Sequence, residues 1–398
     1  LSIVWDADGR ESAVALNGAS GYTFVVNGKA DGNIFADAPT QVMSGLLGAL
    51  IHPNPKRAMV IGLGTGSTSG WLGSIPSMER VDVSELEPAI LRVARDCGPL
   101  NNNVLDNPKV HVSLGDAREF LLTTRERYDV VFSEPSNPYR AGISSLYTQD
   151  YYRAVQERLA DDGVFVQWMQ SYEVEAEAFH TVVATLRSVF GNVTVWESMP
   201  GDFLMVARRA DPGPLDTAAI GKRLQEEPYL TASRYVWGGS SVEVFLSHFI
   251  ARDELAKALL QQSRVNRDDQ NILEFSYARS VGASTSLSVD ASRLSQNLDW
   301  YRPRVLGPVD WTRVDDAWTL FRVSRSEPAP AWRVPRPSPE NAALHRLYRG
   351  VLTAPSAEVL RGWSAAAVAQ PTYLERLLVA RAAAKSSTIE PAAFEERV

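Results

Sequence analysis

Cysteine, clustered basic residues and long apolar runs are all scarce in this sequence. Cys97 is the single cysteine among 398 residues, so the chain can form neither an internal disulfide nor a cysteine-based metal site. The five histidines are scattered without the spacing of metal ligands, and we therefore expect no metal. The net charge is −7 and no run of lysine or arginine stands out, which argues against a nucleic acid as partner.

Apolar runs are too short to predict a membrane segment. "GLLGALI" is the longest candidate, far below the roughly 18 residues that a membrane-spanning helix needs. No signal peptide is visible, so the expected location is the cytoplasm. The chain begins at Leu1 rather than at a methionine, and we expect further sequence upstream. A membrane segment there would make this chain the soluble domain of a membrane-anchored protein.

Short β-type runs fill residues 1–35 and are separated by Asp8-Gly9, Asn17-Gly18 and Asn27-Gly28. Such dipeptides between alternating runs are strong hairpin signals, so a small antiparallel sheet opens the chain. Asp37-Ala38-Pro39 then begins a helix, and these elements together predict a domain over residues 1–52. A sheet this small cannot bury both faces alone, so we expect the "VVNGKADG" hairpin to lie in a homodimer interface.

From Lys56 to about Arg209, strand patterns alternate with helix patterns. The strands read "RAMVIGLG", "RVDVSEL", "KVHVSLG", "YDVVFSE", "GVFVQWMQ" and "VTVWES". This alternation predicts an α/β fold with a doubly wound, mainly parallel sheet, which forms a Rossmann-like domain over residues 53–210. Residues 215–325 predict a helical extension, and the Ala/Leu-rich residues 341–398 predict a C-terminal helical appendage without recognisable chemistry.

The first of these strands runs into a glycine-rich turn, "AMVIGLGTGSTSGWL", that opens a helix. Gly62, Gly64 and Gly66 let the backbone turn tightly and approach a ligand. Glu85 ends the second strand, where an acid can bind ribose hydroxyls, and Asp116 ends the third, where it can bind an adenine amino group. No P-loop lysine is present, so S-adenosylmethionine or its decarboxylated form fits better than NAD. The pattern is typical of a class I S-adenosylmethionine-binding fold.

The fourth strand ends in "FSEPSNPY", where Glu134 is the single acid among turn-forming residues. This position lies at the carboxyl edge of the sheet, where open α/β sheets bind their ligands. A carboxylate there can take or orient the proton of an amine nucleophile. The same letters also fit a plain turn that Glu134 caps, and the residues alone leave both interpretations open.

Several motifs occur in an order that resembles the spermidine synthase (polyamine aminopropyltransferase) family. They are "HPNPKRAMVIGLGTG", "SELEP", "GDAREFL", "YDVVFSEPSNP" and "LYTQDYYRAVQERLADDGVFVQW", and the resemblance covers residues 20 to about 210. "VNRDDQNILEFSYAR" resembles the longer bacterial spermidine synthase-like proteins, some of which carry membrane helices before this domain. The resemblance implies aminopropyl transfer from decarboxylated S-adenosylmethionine to an amine in polyamine biosynthesis, and a homodimer assembled by the N-terminal β-domain.

The resemblance also assigns roles to residues. It implies that the turn at Gly62, Gly64 and Gly66 binds the nucleoside, with Glu85 on the ribose and Asp116 with Ala117 at the adenine. The family's loop after the fourth strand reads Asp-x-x-Asp-Pro, in which the first acid prepares the amine and the second helps to hold it. Glu134 takes the first place here, and the amide Asn137 takes the second.

A second departure precedes "HPNP", where Thr40-Gln41-Val42 replaces the family's Tyr-His-Glu. The two departures suggest a changed acceptor, and the predicted acceptor-binding residues are Gln41, Asn137, Tyr147 and Tyr172. Further candidates for the acceptor pocket or its cover are Gln149, Trp168, Gln170, Glu173, Asp31 and Asp37.

Two other functions stay open. Asn137-Pro138-Tyr139 is similar to the Asn-Pro-Pro-Tyr loop of amino-methyltransferases, which favours an S-adenosylmethionine-dependent methyltransferase or another such enzyme acting on a small amine. A non-catalytic sensor that binds the nucleoside is the third hypothesis.

Overall fold

The computed structural model describes residues 2–18, 21–136, 142–172, 174–274 and 302–324. Within these ranges the chain forms two compact units. The described parts of residues 1–215 and 249–304 form the first unit, and those of 216–248 and 305–398 form the second. Asn137 and Glu173 lie outside the described residues, as does the predicted appendage over 341–398. Every other candidate residue named above lies in the first unit.

Four short strands form the N-terminal antiparallel sheet, in the order β1-β2-β3-β4. They are β1 (Ile3–Asp8), β2 (Ala13–Asn17), β3 (Thr23–Val26) and β4 (Lys29–Asn33). Asn27 and Gly28, both at positive φ, make the turn between β3 and β4. Alternate residues such as Val14, Leu16 and Phe24 are buried, which gives the sheet one apolar face. The predicted small β-sheet is confirmed.

Helices and strands alternate through the next part of the chain. In order they are α1 (Ala38–Ile51), β5 (Arg57–Ile61), α2 (Ser67–Gly73), β6 (Arg80–Glu85), α3 (Ile90–Asp96), β7 (Val110–Leu114), α4 (Ala117–Thr123), β8 (Tyr128–Ser133), α5 (Gln149–Arg158), β9 (Leu159–Gln170), α6 (Ala176–Val189), β10 (Asn192–Met199) and β11 (Asp202–Arg208).

The remaining described elements follow β11. They are β12 (Leu215–Asp216), α7 (Thr217–Arg223), α8 (Tyr229–Trp237), α9 (Val242–Ser247), β13 (Phe249–Ala251), α10 (Asp253–Gln262), β14 (Val305–Leu306) and α11 (Trp311–Ser324).

The central sheet has eight strands in the order β13-β10-β11-β9-β8-β5-β6-β7. Strands β9, β8, β5, β6 and β7 run parallel, while β11 pairs antiparallel with both β9 and β10. The predicted doubly wound, Rossmann-like sheet is therefore confirmed, and β11, β10 and β13 extend it on one side as antiparallel strands. The strand order turns back at β5, so the carboxyl ends of β5 and β8 flank the crevice where such sheets bind ligands.

Helix α1 is buried around almost its whole circumference, which agrees with its mostly apolar or small residues. Gly48 lets it approach the sheet closely, because a Cβ there would stand 2.9 Å from the Cγ1 of Val130. Gly45 likewise lets α1 approach α2 closely, because a Cβ there would stand 2.9 Å from the Cδ1 of Leu72. The start of α1 is thereby held over the carboxyl edge of the sheet.

The structure divides the following part of the chain differently from the predicted helical extension over residues 215–325. β13 adds to the central sheet beside β10, and α10 packs on α6 within the first unit. β13 has only three residues, "FIA", and so short an apolar run cannot be told from part of a helix by its periodicity. In the second unit the ring of His248 stacks on Trp237 with centroids 3.9 Å apart. In the described part of the chain, no helix combines the length and the apolar character that crossing a bilayer would require.

Candidate active site

The turn between β5 and α2 is built from three glycines with left-handed backbone. Gly62, Gly64 and Gly66 have φ angles of +91°, +52° and +80°, which residues with a Cβ rarely adopt. A Cβ on Gly62 would also stand 3.0 Å from the carbonyl oxygen of Glu134. The glycines therefore allow both the turn itself and the close approach of the residue that follows β8.

Glu85, the last residue of β6, is buried and tied to the glycine turn. Its Oε2 accepts a hydrogen bond from the N–H of Leu63 at 2.8 Å, and its Oε1 accepts one from the N–H of Glu87 at 2.8 Å. Burial raises the pKa of Glu85, and the backbone donors act in the opposite direction. The carboxyl group thus holds the turn against the end of β6, and its contact with a ribose stays a prediction.

Asp116 follows β7 and caps helix α4. Its Oδ1 accepts hydrogen bonds from the N–H groups of Arg118 at 2.6 Å and Glu119 at 3.4 Å, while the next residue, Ala117, is buried. Strands β5, β6 and β7 are adjacent and parallel, so their carboxyl ends bring the glycine turn, Glu85 and Asp116 to one edge of the sheet. The adenine contact of Asp116 and Ala117 stays a prediction.

Glu134 directly follows β8 and lies beside the same edge. Its N–H donates to the carbonyl of Ile61 at 3.2 Å, and the hydroxyl of Thr68 lies 3.5 Å from its Oε2. The side chain is partly buried. Burial, followed by the nearby carboxyl groups of Asp202 and Asp37, raises the pKa of Glu134 to about 8. A carboxyl group with this pKa is suited to take a proton from an ammonium group near neutral pH.

Three further carboxyl groups lie within electrostatic range of Glu134, and we call Asp31, Asp37, Glu134 and Asp202 the acid cluster. Asp31 lies on β4 and accepts a hydrogen bond from the hydroxyl of Ser136 at 2.6 Å. Asp37 immediately precedes α1. Asp31, Asp37 and Asp202 all raise the pKa of Glu134, which places them within electrostatic range of it. A site of this charge attracts cations and repels anions.

Asp202 is the member of the acid cluster that sequence reasoning missed. Its Oδ2 accepts a hydrogen bond from the Oγ1 of Thr40 at 2.6 Å, and Thr40 also lies 2.9 Å from the hydroxyl of Ser198. Burial is the largest cause that raises the pKa of Asp202 to about 7. In the sequence Asp202 is an ordinary residue at the start of a hairpin strand. The departure from the family pattern at Thr40 was the signal that could have led to it.

Gln41, a predicted acceptor residue, lies beside the glycine turn. Its Oε1 accepts a hydrogen bond from the hydroxyl of Thr65, and its backbone carbonyl accepts one from the hydroxyl of Thr68, both at 2.6 Å. Phe24 of the N-terminal sheet lies next to the same turn, since a Cβ on Gly64 would stand 3.6 Å from its ring. The start of α1 and the small sheet therefore cover the edge that carries the candidate site.

The two predicted tyrosines differ in exposure. Tyr172 follows β9 and is 45% exposed, so part of its side chain faces solvent, and its contact with a substrate stays a prediction. Tyr147 is completely buried, and its hydroxyl donates to the carbonyl of Trp168 at 3.1 Å. Tyr147 offers no surface to a substrate in this structure, and its role in the acceptor pocket stays a prediction.

The weaker candidates are also engaged in packing. Gln149 donates from its amide to the hydroxyl of Ser188 at 2.8 Å, on the side of α5 that faces α6. Gln170 is buried and donates to the backbone carbonyl of Tyr172 at 3.0 Å. Trp168 is almost wholly buried on β9.

His52, Asp129 and Asp162 form a group with ligand atoms within 4.8 Å of one another, near the amino ends of β5 and β8. The Nδ1 of His52 accepts a hydrogen bond from a backbone N–H, so the proton lies on Nε2, which faces Asp162 at 3.3 Å. Asp129 accepts hydrogen bonds from the N–H groups of Lys56 and Arg57. This group lies at the amino ends of the strands, and the candidate active site lies at their carboxyl ends.

The domain has a Rossmann-like fold of the methyltransferase type, with the glycine turn and the acids at neighbouring strand ends along one edge of its sheet. Residues 40–200 match the spermine/spermidine synthase domain family. This match covers less than half of the chain and agrees with the resemblance carried by the ordered motifs.

Two curated relatives and one solved structure agree with this assignment. A polyamine aminopropyltransferase of Nitrosomonas europaea is 29% identical over 240 residues, which are 57% of this chain and 70% of the relative. One from Thermoanaerobacter sp. is 26% identical over 176 residues, covering 42% of this chain and 63% of the relative, which is less than two thirds of its length. A spermidine synthase solved in complex with the transition-state analogue AdoDATO superposes with a TM-score of 0.51. At 18% identity, with 65% of this chain and 87% of that one covered, that likeness supports the fold.

Proposed function

We propose that this chain transfers an aminopropyl group from decarboxylated S-adenosylmethionine to a small amine, a reaction of polyamine biosynthesis. The observation that carries the proposal is Glu134, a carboxyl group with a pKa of about 8 at the carboxyl edge of the sheet, beside the glycine turn. The similarity to polyamine aminopropyltransferases supports the same reaction.

The nucleoside part of the donor would lie across the ends of β5, β6 and β7. Gly62, Gly64 and Gly66 have no Cβ atoms, so the donor can approach the backbone of the turn closely. Glu85 would bind the ribose, and Asp116 with Ala117 would bind the adenine. Glu85 already orients the turn through the N–H of Leu63, so the donor would meet a preformed surface.

The charge of the site favours the decarboxylated donor. S-adenosylmethionine itself carries a carboxylate on the chain that would extend toward the acid cluster, and like charges at close range repel one another. The decarboxylated form lacks that carboxylate and carries two positive groups, the sulfonium and the ammonium. A pocket with Asp31, Asp37, Glu134 and Asp202 around it therefore suits the decarboxylated form better.

The chemistry needs one proton transfer and one substitution. The acceptor arrives as an ammonium group and gives a proton to Glu134, which exposes the nitrogen lone pair. That nitrogen attacks the aminopropyl carbon next to the sulfonium, and the carbon–sulfur bond breaks with its electron pair left on sulfur. The products are methylthioadenosine and the aminopropylated amine, and Glu134 later returns its proton to water. Beyond that proton transfer, the protein aligns nitrogen, carbon and sulfur.

The test is a product assay on the wild-type protein and the Glu134→Gln variant, with both sulfonium donors and a series of amines. We expect product from the decarboxylated donor, and a loss of turnover of about 10² to 10⁴ in Glu134→Gln, the usual contribution of a positioned acid–base group. Calorimetry should show unchanged affinity of the variant for methylthioadenosine, because Glu134 lies outside the proposed nucleoside contacts.

Glu87→Gln is the matched control, since it neutralises another buried glutamate, whose carboxyl group accepts hydrogen bonds from the N–H groups of Glu11 and Ser12, and it should keep full turnover. Methylated amines formed from S-adenosylmethionine would identify a methyltransferase instead. Tight nucleoside binding without product from any amine would identify a sensor. Full activity of Glu134→Gln would show that "FSEPSNPY" is a turn in which Glu134 has no catalytic role.

A further inference from the structure

A cavity of about 160 Å³ lies on the antiparallel side of the central sheet, within the first unit. Much of its wall is apolar, and α1, β10, β11 and β13 contribute Ile51, Trp196, Val206 and Phe249 to it. The rings of Trp196 and Phe249 meet edge to face, with their centroids 5.0 Å apart. A cavity of this size admits one six-membered ring, since an apolar cavity of about 150 Å³ binds benzene.

This cavity is separate from the candidate active site. Asp202 opens β11 opposite Gln170, at the carboxyl end of β9, whereas Arg208 ends β11 and lines the cavity. Helix α1 runs between the two places, because its early residue Thr40 donates to Asp202 and its last residue, Ile51, lines the cavity. That stretch of helix is about 16 Å long. A ligand in the cavity would therefore leave the acid cluster accessible.

Four cationic side chains line the cavity, and three of them have a carboxylate partner that also lines it. The pairs, with their nitrogen–oxygen distances, are Arg252–Glu254 at 3.5 Å, Lys257–Asp253 at 3.0 Å and Arg304–Asp211 at 2.6 Å. The fourth cation, Arg208, forms no ion pair in the described part of the chain, and Asp162 acts on it only from a longer distance. The cavity thus carries one positive charge that no acid in its lining offsets.

Arg208 is half-buried, and its charge is poorly compensated. Its Nη2 donates to the carbonyl of Ile51 at 3.2 Å. Burial lowers the pKa of Arg208 to about 10, because the charged form loses hydration on entering the protein. A charge in such surroundings is costly unless a counterion offsets it. The planar fork of a guanidinium can supply two parallel hydrogen bonds to a carboxylate, which makes a carboxylate a suitable counterion.

We propose that this cavity binds a small organic monocarboxylate, with its carboxylate on Arg208 and a ring-sized apolar body against Trp196 and Phe249. A single negative charge fits because one cation of the lining lacks an ion-pair partner, while the carboxylates of the three pairs would repel a second charge. Asn192 lies opposite Arg208 on the neighbouring strand and also lines the cavity, so its amide can donate to the same carboxylate. This binding site is independent of the proposed aminopropyl transfer.

The experiment is a calorimetric titration of the full chain with benzoate at pH 7.5. Benzamide, which has the same ring without the charge, and inorganic phosphate, which has charge without the ring, are titrated in parallel. We expect benzoate to bind about 10- to 100-fold more tightly than benzamide, the range of hydrogen bonds between charged groups, and more tightly than phosphate. Saturation with methylthioadenosine should leave the affinity for benzoate unchanged, because the two sites lie at opposite ends of α1.

Three variants of the cavity and one control make the result specific. In Arg208→Met the preference for benzoate should disappear, and the protein should fold because an apolar side chain replaces a poorly compensated charge. Arg208→Lys keeps the charge without the planar fork and should retain part of the preference. Thr194→Tyr fills the cavity from β10, should abolish benzoate binding, and decides the matter should Arg208→Met fail to fold. Arg153→Gln, on the exposed side of α5, should bind benzoate like the wild-type protein.

Equal affinity of the wild-type protein for benzoate and benzamide would overturn the inference, as would an unchanged preference in a folded Arg208→Met. Benzoate binding that persists in Thr194→Tyr would place the ligand outside this cavity, and displacement by methylthioadenosine would place it in the candidate active site. Either result refutes the proposal, and so does binding of phosphate without binding of benzoate. The aminopropyl transfer is judged separately, by product formation.

Discussion

Glu134 and Asp202 keep their protons at pH values where ordinary carboxylic acids have lost them. Burial is the main cause for both, and their carboxyl neighbours add to it. With a pKa of about 8 for Glu134 and about 7 for Asp202, this pair of carboxyl groups is partly neutral at pH 7. A cationic substrate favours the charged forms, so its binding would release protons from this pair.

These raised pKa values predict how stability depends on pH. In the unfolded chain both groups ionise near pH 4, whereas the folded protein keeps their protons up to about pH 7 or 8, so the native state binds more protons. Their contribution to stability is complete below pH 4 and is lost as the pH rises to about 8. Glu134→Gln should therefore flatten the fall in melting temperature of the ligand-free protein between pH 5.5 and 8.5.

Glu87→Gln provides a control with the opposite sign. Burial raises the pKa of Glu87, but hydrogen bonds from the N–H groups of Ala89, Glu11 and Ser12 outweigh it, and the pKa is lowered overall. The contribution of Glu87 to the stability of the folded protein is present at neutral pH and is lost on acidification. Glu87→Gln should therefore destabilise the protein most at the higher pH. A wild-type pH profile in Glu134→Gln would contradict the environment described for Glu134.

At the scale of elements, the β5–α2 turn and the end of β6 work as one unit. Glu85 joins them by accepting hydrogen bonds from the N–H groups of Leu63 and Glu87 with separate oxygens. The glycines of the turn have no side chains that could stabilise its conformation. Glu85, on the neighbouring strand, supplies that stabilisation through these hydrogen bonds. The same carboxyl group is the predicted ribose ligand.

Replacing Glu85 by Gln should weaken nucleoside binding. One oxygen becomes an amide nitrogen, so a charged acceptor is lost and one backbone N–H faces a donor. We expect a loss of about 1.5 to 3 kcal/mol in the binding free energy of methylthioadenosine, measured by calorimetry. Glu87→Gln, two residues further along the chain, should keep wild-type affinity, because the carboxyl group of Glu87 accepts its hydrogen bonds from the N–H groups of Glu11 and Ser12 in the N-terminal sheet. Unaltered affinity in a folded Glu85→Gln would remove Glu85 from the nucleoside site.

For the whole molecule, the N-terminal sheet leaves apolar side chains exposed. Ile3 and Val4 on the edge strand β1 are 48% and 53% exposed, and Tyr22 and Phe35 nearby are 37% and 47% exposed. An edge strand that carries exposed apolar residues is a surface on which a second chain can pack. The sequence pattern predicts the interface at the "VVNGKADG" hairpin of β3 and β4, whereas these exposed residues favour the opposite edge of the same sheet, at β1. We expect a homodimer that uses this small sheet through β1.

Sedimentation at micromolar concentration should show a dimer, and Val4→Lys should shift it toward the monomer because a charge would be buried in the interface. Leu122→Lys is the control, since Leu122 is 67% exposed on α4, away from the sheet, and its replacement should leave the dimer intact. A wild-type monomer would count against this interface.

Local sequence patterns were sufficient to predict much of the fold and the part of the site formed by the glycine turn, Glu85 and Asp116. Asn27-Gly28 gave its hairpin turn because that dipeptide adopts positive φ at little cost. The glycine turn, Glu85 and Asp116 could be placed together because each follows a recognisable strand, and parallel strands end at a common edge. The family of the domain followed from the order of these same motifs.

The acceptor side of the site depended on tertiary structure. Asp202 stands at the start of a strand that returns antiparallel between β9 and β10, and only this strand order brings it to Thr40 and into range of Glu134. Similarly, the apolar run of β13 revealed nothing about its pairing with β10. Strand ends and turns are determined by neighbouring residues, so the sequence by itself determines them. Contacts between distant strands, and the burial that raises the pKa values of Glu134 and Asp202, arise only when the whole sheet and α1 pack together.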